Sequence, residues 1–318
     1  MLTHKTLRTL TEEFVLYKRS LGYAYETHEY SLLNYVAYAE SISQQTCFPD
    51  KETVLGYLGT LSNLPGALYN ATAVLREFGK YLVRQGISAY VIPPKSTPAL
   101  DPEPPYFFTE CEINSFFEAC DTIKKHLSFP GREFVFPAMF RLLYCCGLRC
   151  KEAQTLLCEN VYLDDCYFDI MQSKGPKSRR IYISHELSVY LKGYNNRINN
   201  LFPNRTYFFP HKESTCYDGQ AITKNFWRFW SLAFPDFVRA SRPRAYDFRH
   251  HFVWKNLNRW AAEGLDANVM LPYLSRYMGH QNINSTLYYF RFVPDFFSDY
   301  SDMVQSSESV LPEVPYEE

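Results

Sequence analysis

The sequence predicts a mainly α-helical protein with one small antiparallel β-sheet, divided into two domains by a proline-rich linker. Three observations predict it. Apolar residues recur at helical spacing through the first hundred residues, and six prolines crowd into "PPKSTPALDPEPP" (93–105). Two strand-like runs, "CYFDIM" (166–171) and "RRIYIS" (179–184), flank a short basic turn. At 318 residues the chain is long enough to bury two cores. The expected division is a helical domain over 1–92, a linker over 93–105, a mixed α+β domain over 106–292 and an acidic tail over 293–318.

In the first domain Leu10, Phe14, Tyr17 and Leu21 fall on one face of a helix that Gly22 stops. A second helix is expected after Thr27 and a third over 51–61; Leu68, Ala71, Leu75, Phe78 and Leu82 mark a fourth, ended by Gly86. Four short helices make a small bundle. Proline at the density of 93–105 blocks helix and ladder alike, so the linker is extended and semi-rigid. The second domain opens on a capping box, Thr109-x-x-Glu112, leading into Ile113, Phe116, Phe117 and Cys120. A helix over 133–146 stops at Gly147 and a shorter one restarts in "LRCKEAQTLL". The hairpin follows, then helices near Ser184, Ile222, Asp247 and Pro272.

A hydrophobic content of 46% and a charged content of 21% are ordinary for a globular protein. No run approaches the roughly 18 apolar residues of a membrane span. The opening "MLTHKTLRTLTEEF" lacks the apolar core of a secretory signal, so a cytoplasmic chain with no membrane partner is expected. The nine cysteines are an odd number, and "CCGLRC" (Cys145, Cys146, Cys150) has no histidine at ligand spacing. Buried reduced thiols are expected, with no metal, disulfide or other cofactor. The formal net charge is −1, but seven carboxylates after residue 294 leave +6 on the rest of the chain. Lys174, Lys177, Arg179 and Arg180 cluster in "SKGPKSRR" (173–180), and six basic residues face only Asp236 and Asp247 between Lys224 and Arg249. A near-neutral total therefore leaves room for a cationic groove, with a merely solvated basic face as the alternative.

Two arginines occupy unusual places. Arg149 follows the Gly147 break, in the first turn of a new helix, and Arg249 lies two residues after Asp247, the expected N-cap of another. A helix start carries unpaired N–H groups and the positive dipole end, where a cation is poorly placed unless its fork is committed to a carboxylate or phosphate. For each arginine taken alone, a structural salt bridge is the favoured reading. Lys174 and Lys177 on a tight turn reach a phosphate or are simply solvated. His280, after Gly279 at a helix end, suits a C-terminal dipole contact. Tyr289, expected on a short helix after Ser285, suits a core aromatic.

Taken in order, "CCGLRCKEAQTLL", "SKGPKSRRIYI", "YDFRHHF" and "YMGHQNINSTLYYF" resemble the signature boxes of the tyrosine recombinases, the phage-integrase family. That pattern has Gly-Leu-Arg-x-x-Glu, a lysine on a hairpin turn, His-x-x-Arg-His, and Gly-His followed nine residues later by a nucleophilic tyrosine. The resemblance picks out Arg149 with Glu152, Lys174, Arg249 with His250, His280 and Tyr289, and it spans nearly the whole chain. It implies a core-binding domain before the linker and a catalytic domain over 106–292. Two departures stand out. Tyr246 occupies the place of the histidine of His-x-x-Arg, and a phenol with a pKa near 10 is a poor general base at neutral pH. The 31 residues from Arg249 to His280 exceed the usual interval, and "AAEGLDAN" reads as an extra surface loop.

The resemblance further implies a mechanism. Arg149 and Arg249 would neutralise the non-bridging oxygens of a DNA phosphate, and Tyr289 would attack phosphorus to leave a 3′-phosphotyrosyl link. Lys174 would protonate the departing 5′ oxygen, His280 and Tyr246 would donate hydrogen bonds, and Glu152 would orient a basic partner. Adjacent helical residues point about 100° apart, so Tyr288 and Tyr289 cannot both face the phosphate, and the nine-residue spacing selects Tyr289. The implied partners are double-stranded DNA with inverted half-sites, three further copies of the chain in a tetramer on two duplexes, and an accessory directionality protein where the reaction is directional. "VPDFFSDYSDMV" (293–304) has the apolar anchors to dock on a neighbour, or else belongs to a disordered tail. The reading is a recombinase of a mobile element. The alternatives are a DNA-binding regulator of the same fold, a type IB topoisomerase and, from the aromatic content alone, a carbohydrate-active enzyme, for which no carboxylate pair is apparent.

Overall fold

The hydroxyl of Thr6 accepts the Thr9 N–H and so opens α1 (Leu7–Ser20). The same device recurs at α3 (Lys51–Thr60), where Asp50 caps Thr53, while Pro65 begins α4 (Pro65–Arg84) at the position where a missing N–H costs nothing. With α2 (Glu26–Ile42) these are the four expected helices. The computed structural model describes residues 5–42, 49–94, 104–171, 178–238, 242–280 and 284–289. The chain divides into two units, Met1–Pro102 and Glu103–Glu318. Most of the proline-rich segment, the basic turn carrying Lys174 and Lys177, and the acidic tail lie outside the described residues.

In the first unit Leu10, Phe14, Leu32, Tyr35, Phe78 and Leu82 are almost completely buried. The stripe expected along α1 holds only in its first half. Tyr17 is exposed at the rim, stacked on Tyr81 with ring centroids 5.2 Å apart, and Leu21 is exposed beyond the helix end. The buried face is instead completed by Leu7, Thr11 and Val15, one turn nearer the N-terminus.

The second unit begins with α5 (Glu110–Asp121), held by the predicted Thr109–Glu112 capping box, with both reciprocal bonds formed. Next come α6 (Arg132–Cys146) and α7 (Cys150–Gln154). Strands β1 (Val161–Tyr162), β2 (Tyr167–Ile170) and β3 (Arg179–Tyr182) form an antiparallel sheet in that order. Phe168 pairs with Ile181, and both are buried, which fixes the face turned to the core. After α8 (His185–Asn199), β4 (Pro210–Lys212) and β5 (Thr215–Cys216) make a second small sheet. The sequence predicts one sheet and not this second one, because strands of three and two residues are too short to show an alternating pattern. Then follow α9 (Gly219–Ala233), α10 (Asp247–Ala262), α11 (Ala267–Met278) and α12 (Asn284–Leu287). The suggested extra loop starts helical: Ala261 and Ala262 end α10, and an exposed turn over 263–266 leads into α11.

Aromatic packing places α10. Phe248 is fully buried among Phe108, Phe116, Phe140 and Phe226, with centroid separations of 5.0 to 6.4 Å. Such rings give large apolar burial and prefer the tilted and edge contacts found here. Fixing Phe248 in the core turns the next residue, Arg249, about 100° around the helix, toward the end of α6.

That end is Gly147, whose φ of +60° places it in the left-handed region. A Cβ there would meet the Phe252 ring at 2.6 Å. Gly147→Ala should therefore lose about 1–3 kcal/mol through backbone strain and overpacking. All four tryptophans lie in the second unit, so a lowered urea midpoint in tryptophan fluorescence checks this directly.

Candidate active site

Arg149 precedes α7 as its N-cap, and its own N–H donates to Glu152 Oε2 at 2.9 Å. Its guanidinium donates to Glu152 Oε1 at 2.7 Å and to the Gly279 carbonyl at 3.0 Å. Glu152 is 3% exposed and holds a second guanidinium: Arg179, at the start of β3, donates to both carboxylate oxygens at 2.9 and 2.8 Å. Arg179 Nε reaches the Tyr277 carbonyl at 2.8 Å. Burial alone would push the Glu152 carboxyl up, but the hydrogen bonds and charge of Arg179, helped by Arg149, outweigh it and hold the group at about 2.

Arg249 is 1% exposed. It donates to the Gly147 carbonyl at 2.8 Å and to the Met278 carbonyl at 2.7 Å. Arg149, Arg179 and Arg249 thus bind the carbonyls of Gly279, Tyr277 and Met278, three consecutive residues where α11 ends. A helix C-terminus offers unpaired carbonyls and the negative dipole end, so it gathers cations. Gly279, with φ +64°, terminates that helix, and a Cβ there would meet Arg179 Nη1 at 2.9 Å. Burial, and then the charge of Arg149, bring the Arg249 guanidinium down to about 10, still protonated at neutral pH.

Because a guanidinium only donates, the 3.0 Å contact between Arg249 Nη2 and His280 Nε2 makes Nε2 an acceptor. The proton then lies on Nδ1, which donates to the buried hydroxyl of Thr286 at 2.7 Å. Burial, with the charges of Arg249 and Arg149 next, brings His280 down to about 4, which fits this neutral form. In this tautomer both ring nitrogens are committed, and no N–H is left over for a phosphate.

Tyr289 follows α12 in a turn rather than on the helix, its N–H bonded to the Thr286 carbonyl at 3.0 Å. It is 3% exposed, and its hydroxyl lies 2.6 Å from His250 Nδ1. Burial is the main cause that raises its phenol pKa, Tyr246 adds to it, and Arg249 opposes it. Tyr246 is 42% exposed, with its ring edge-on to His250 at 4.9 Å. Asp247 is the first residue of α10 rather than its N-cap. Its carboxylate turns back to the Arg244 N–H at 2.7 Å and to the Arg244 guanidinium.

Of the residues singled out in the sequence, Arg149, Arg249 and His280 meet at the end of α11, while Tyr246 and Tyr289 meet around His250. Lys174 lies outside the described residues. In the sequence Arg179 is only one charge of a basic cluster, because its partner Glu152 lies 27 residues away. Glu152 bridges Arg149 and Arg179, and Arg249 adds a third guanidinium at the same helix end, so an excess of positive charge remains that favours an anion.

The phage integrase family model matches residues 106–293. "Putative integrase/recombinase y4rE" of Sinorhizobium fredii is 24% identical over 281 residues, covering 87% of this chain and 89% of that one. The Tn1549 transposon integrase, solved with transposon right end DNA, superposes with a TM-score of 0.62 at 14% identity, covering 96% and 100% of the two chains. XerH site-specific recombinase, solved on a palindromic difH substrate, gives 0.61 at 18% identity, covering 90% and 79%.

Removing the Glu152 charge leaves Arg149 and Arg179 facing an amide, and breaking a buried pair in this way costs about 3–5 kcal/mol. Glu152→Gln is expected to lose stability on that scale at neutral pH. The folded carboxyl sits at about 2, below its ordinary 4.5, so its contribution is full above 4.5 and fades as pH falls toward 2. Urea midpoints of wild type and variant should converge across that window.

Proposed function

The chain belongs to the phage integrase family, and on that premise we propose that it is a site-specific DNA recombinase acting through a 3′-phosphotyrosyl intermediate. The observation that carries the reading is the gathering of Arg149, Arg179 and Arg249 on three consecutive carbonyls at the end of α11, ten residues before Tyr289. A phosphodiester repels nucleophiles, and further negative charge builds on its oxygens in the transition state. Arg149 and Arg249 would bind those oxygens, exchanging neutral carbonyl partners for charged ones. Arg179 would stay on Glu152 and hold Arg149 in place.

Tyr289 Oη would attack phosphorus and displace the 5′ oxygen, to which Lys174 would supply a proton. The tyrosyl ester keeps the energy of the broken bond, so a 5′-hydroxyl from a second strand reverses the step. Exchange between two duplexes needs four cuts, hence four copies of the chain. Double-stranded DNA as substrate is supported by the DNA complexes of the structural neighbours, a mobile-element role by the transposon integrase among them, and recombination by the integrase/recombinase name of the Sinorhizobium relative.

A nicked duplex built from the inverted half-sites that the proposal expects in the DNA flanking the gene tests this, because loss of the short cleaved strand traps the covalent complex. Wild type and Tyr288→Phe should form an adduct stable to detergent, and Tyr289→Phe should form none. Arg249→Lys should slow adduct formation by about 10²–10³-fold. An adduct mapped by peptide mass to Tyr288, or none from wild type, would falsify the reading.

A further inference from the structure

We infer that His250 is the proton acceptor for the Tyr289 nucleophile, a part that the phenol of Tyr246 cannot play. Tyr246, the N-cap of α10, and His250, one turn into the helix, lie on the same side with their rings in edge contact. The first takes the place where the resemblance expects a histidine. The second places Nδ1 2.6 Å from Tyr289 Oη, within the range in which a base removes a proton directly. The inference rests on Tyr289 attacking phosphorus.

The protons balance as follows. As the Oη–phosphorus bond forms, the phenol proton passes to Nδ1, whose lone pair accepts it, and Nε2 keeps the proton of the neutral ring. The departing 5′ oxygen takes its proton from the separate acid. On rejoining, His250 returns the proton to Oη as the phosphotyrosyl bond breaks, so the histidine ends neutral.

The charged and titratable surroundings suit a reversible acceptor. Burial keeps the imidazole neutral in the DNA-free protein, near 4; Asp247 on the same helix favours protonation, and Arg244 and Arg249 oppose it. Tyr246 at the N-cap of that helix and Tyr289 from the segment after α12 are the phenols in ring contact. A phosphate on Arg249 offsets part of the opposing charge and adds an anion near the ring. Proton uptake by His250 is thereby tied to the presence of substrate.

The test is His250→Asn, whose amide oxygen can stand near the place of Nδ1 and accept the phenol hydrogen bond but takes no proton at neutral pH. Adduct formation on the nicked duplex should fall by about 10²–10⁴-fold. It should also lose the neutral-pH plateau of the wild type and climb with rising pH as hydroxide replaces the base. A variant with wild-type rate and pH profile, beside an inactive Tyr289→Phe, overturns this inference and leaves the nucleophile standing. No adduct from wild type overturns both. Nitrogen-15 spectra of the wild-type imidazoles give a readout that needs no variant to fold. Nδ1 of His250 should be unprotonated in the free protein, and a proton found on it, donated to Tyr289, refutes the proposal.

Discussion

The second unit is organised by one buried carboxylate. Glu152 accepts from the side chains of Arg149 and Arg179 and from the Arg149 backbone, so α7 and β3 are locked to a single point. A buried ion pair is weak support for stability, since desolvation offsets most of its Coulomb energy. Its value here is geometric. Two planar forks on one planar acceptor fix both guanidinium orientations, and each fork then has a donor left for the carbonyl end of α11.

Three cations at one helix end would repel one another without these acceptors. The consecutive carbonyls of Tyr277, Met278 and Gly279 turn outward because the helix stops, and it stops because Gly279 adopts a positive φ. A Cβ on Gly279 would push against the Arg179 guanidinium and disturb its hold on Glu152. Helix termination and cation binding are therefore one feature.

Much of this was legible in the sequence where a local rule applied. The capping box at Thr109, the break at Gly147 and the hairpin each depend on neighbours within a few residues. Arg149 and Arg249 were conspicuous because a cation at a helix start breaks a local preference. What escaped depends on distant contacts. Arg179 looked like one of four charges in a basic run until Glu152 was seen to face it. His250 was visible as part of a box but had no role until Tyr289 was found against it. Asp247 was expected to cap α10, but Arg244, three residues back, draws its carboxylate away from the N–H groups ahead. Along α1, spacing gave the correct helix but not which end of its stripe the bundle covers.

The placement of Tyr289 follows from the same helix end. From Met278, whose carbonyl holds Arg249, the chain passes through Gly279 and His280, and His280 grips Thr286 on α12 through its Nδ1 proton. Thr286 in turn accepts the Tyr289 N–H through its carbonyl. A short series of hydrogen bonds thus runs from the buried arginine to the tyrosine backbone. If an anion draws Arg249 off His280 Nε2, His280 loses the donor that fixes its tautomer, and its grip on Thr286 changes with it. The reach of the tyrosine and the occupancy of the cationic site are then not independent variables. A burial that keeps the phenol protonated without an anion present is the resting form of one coupled arrangement.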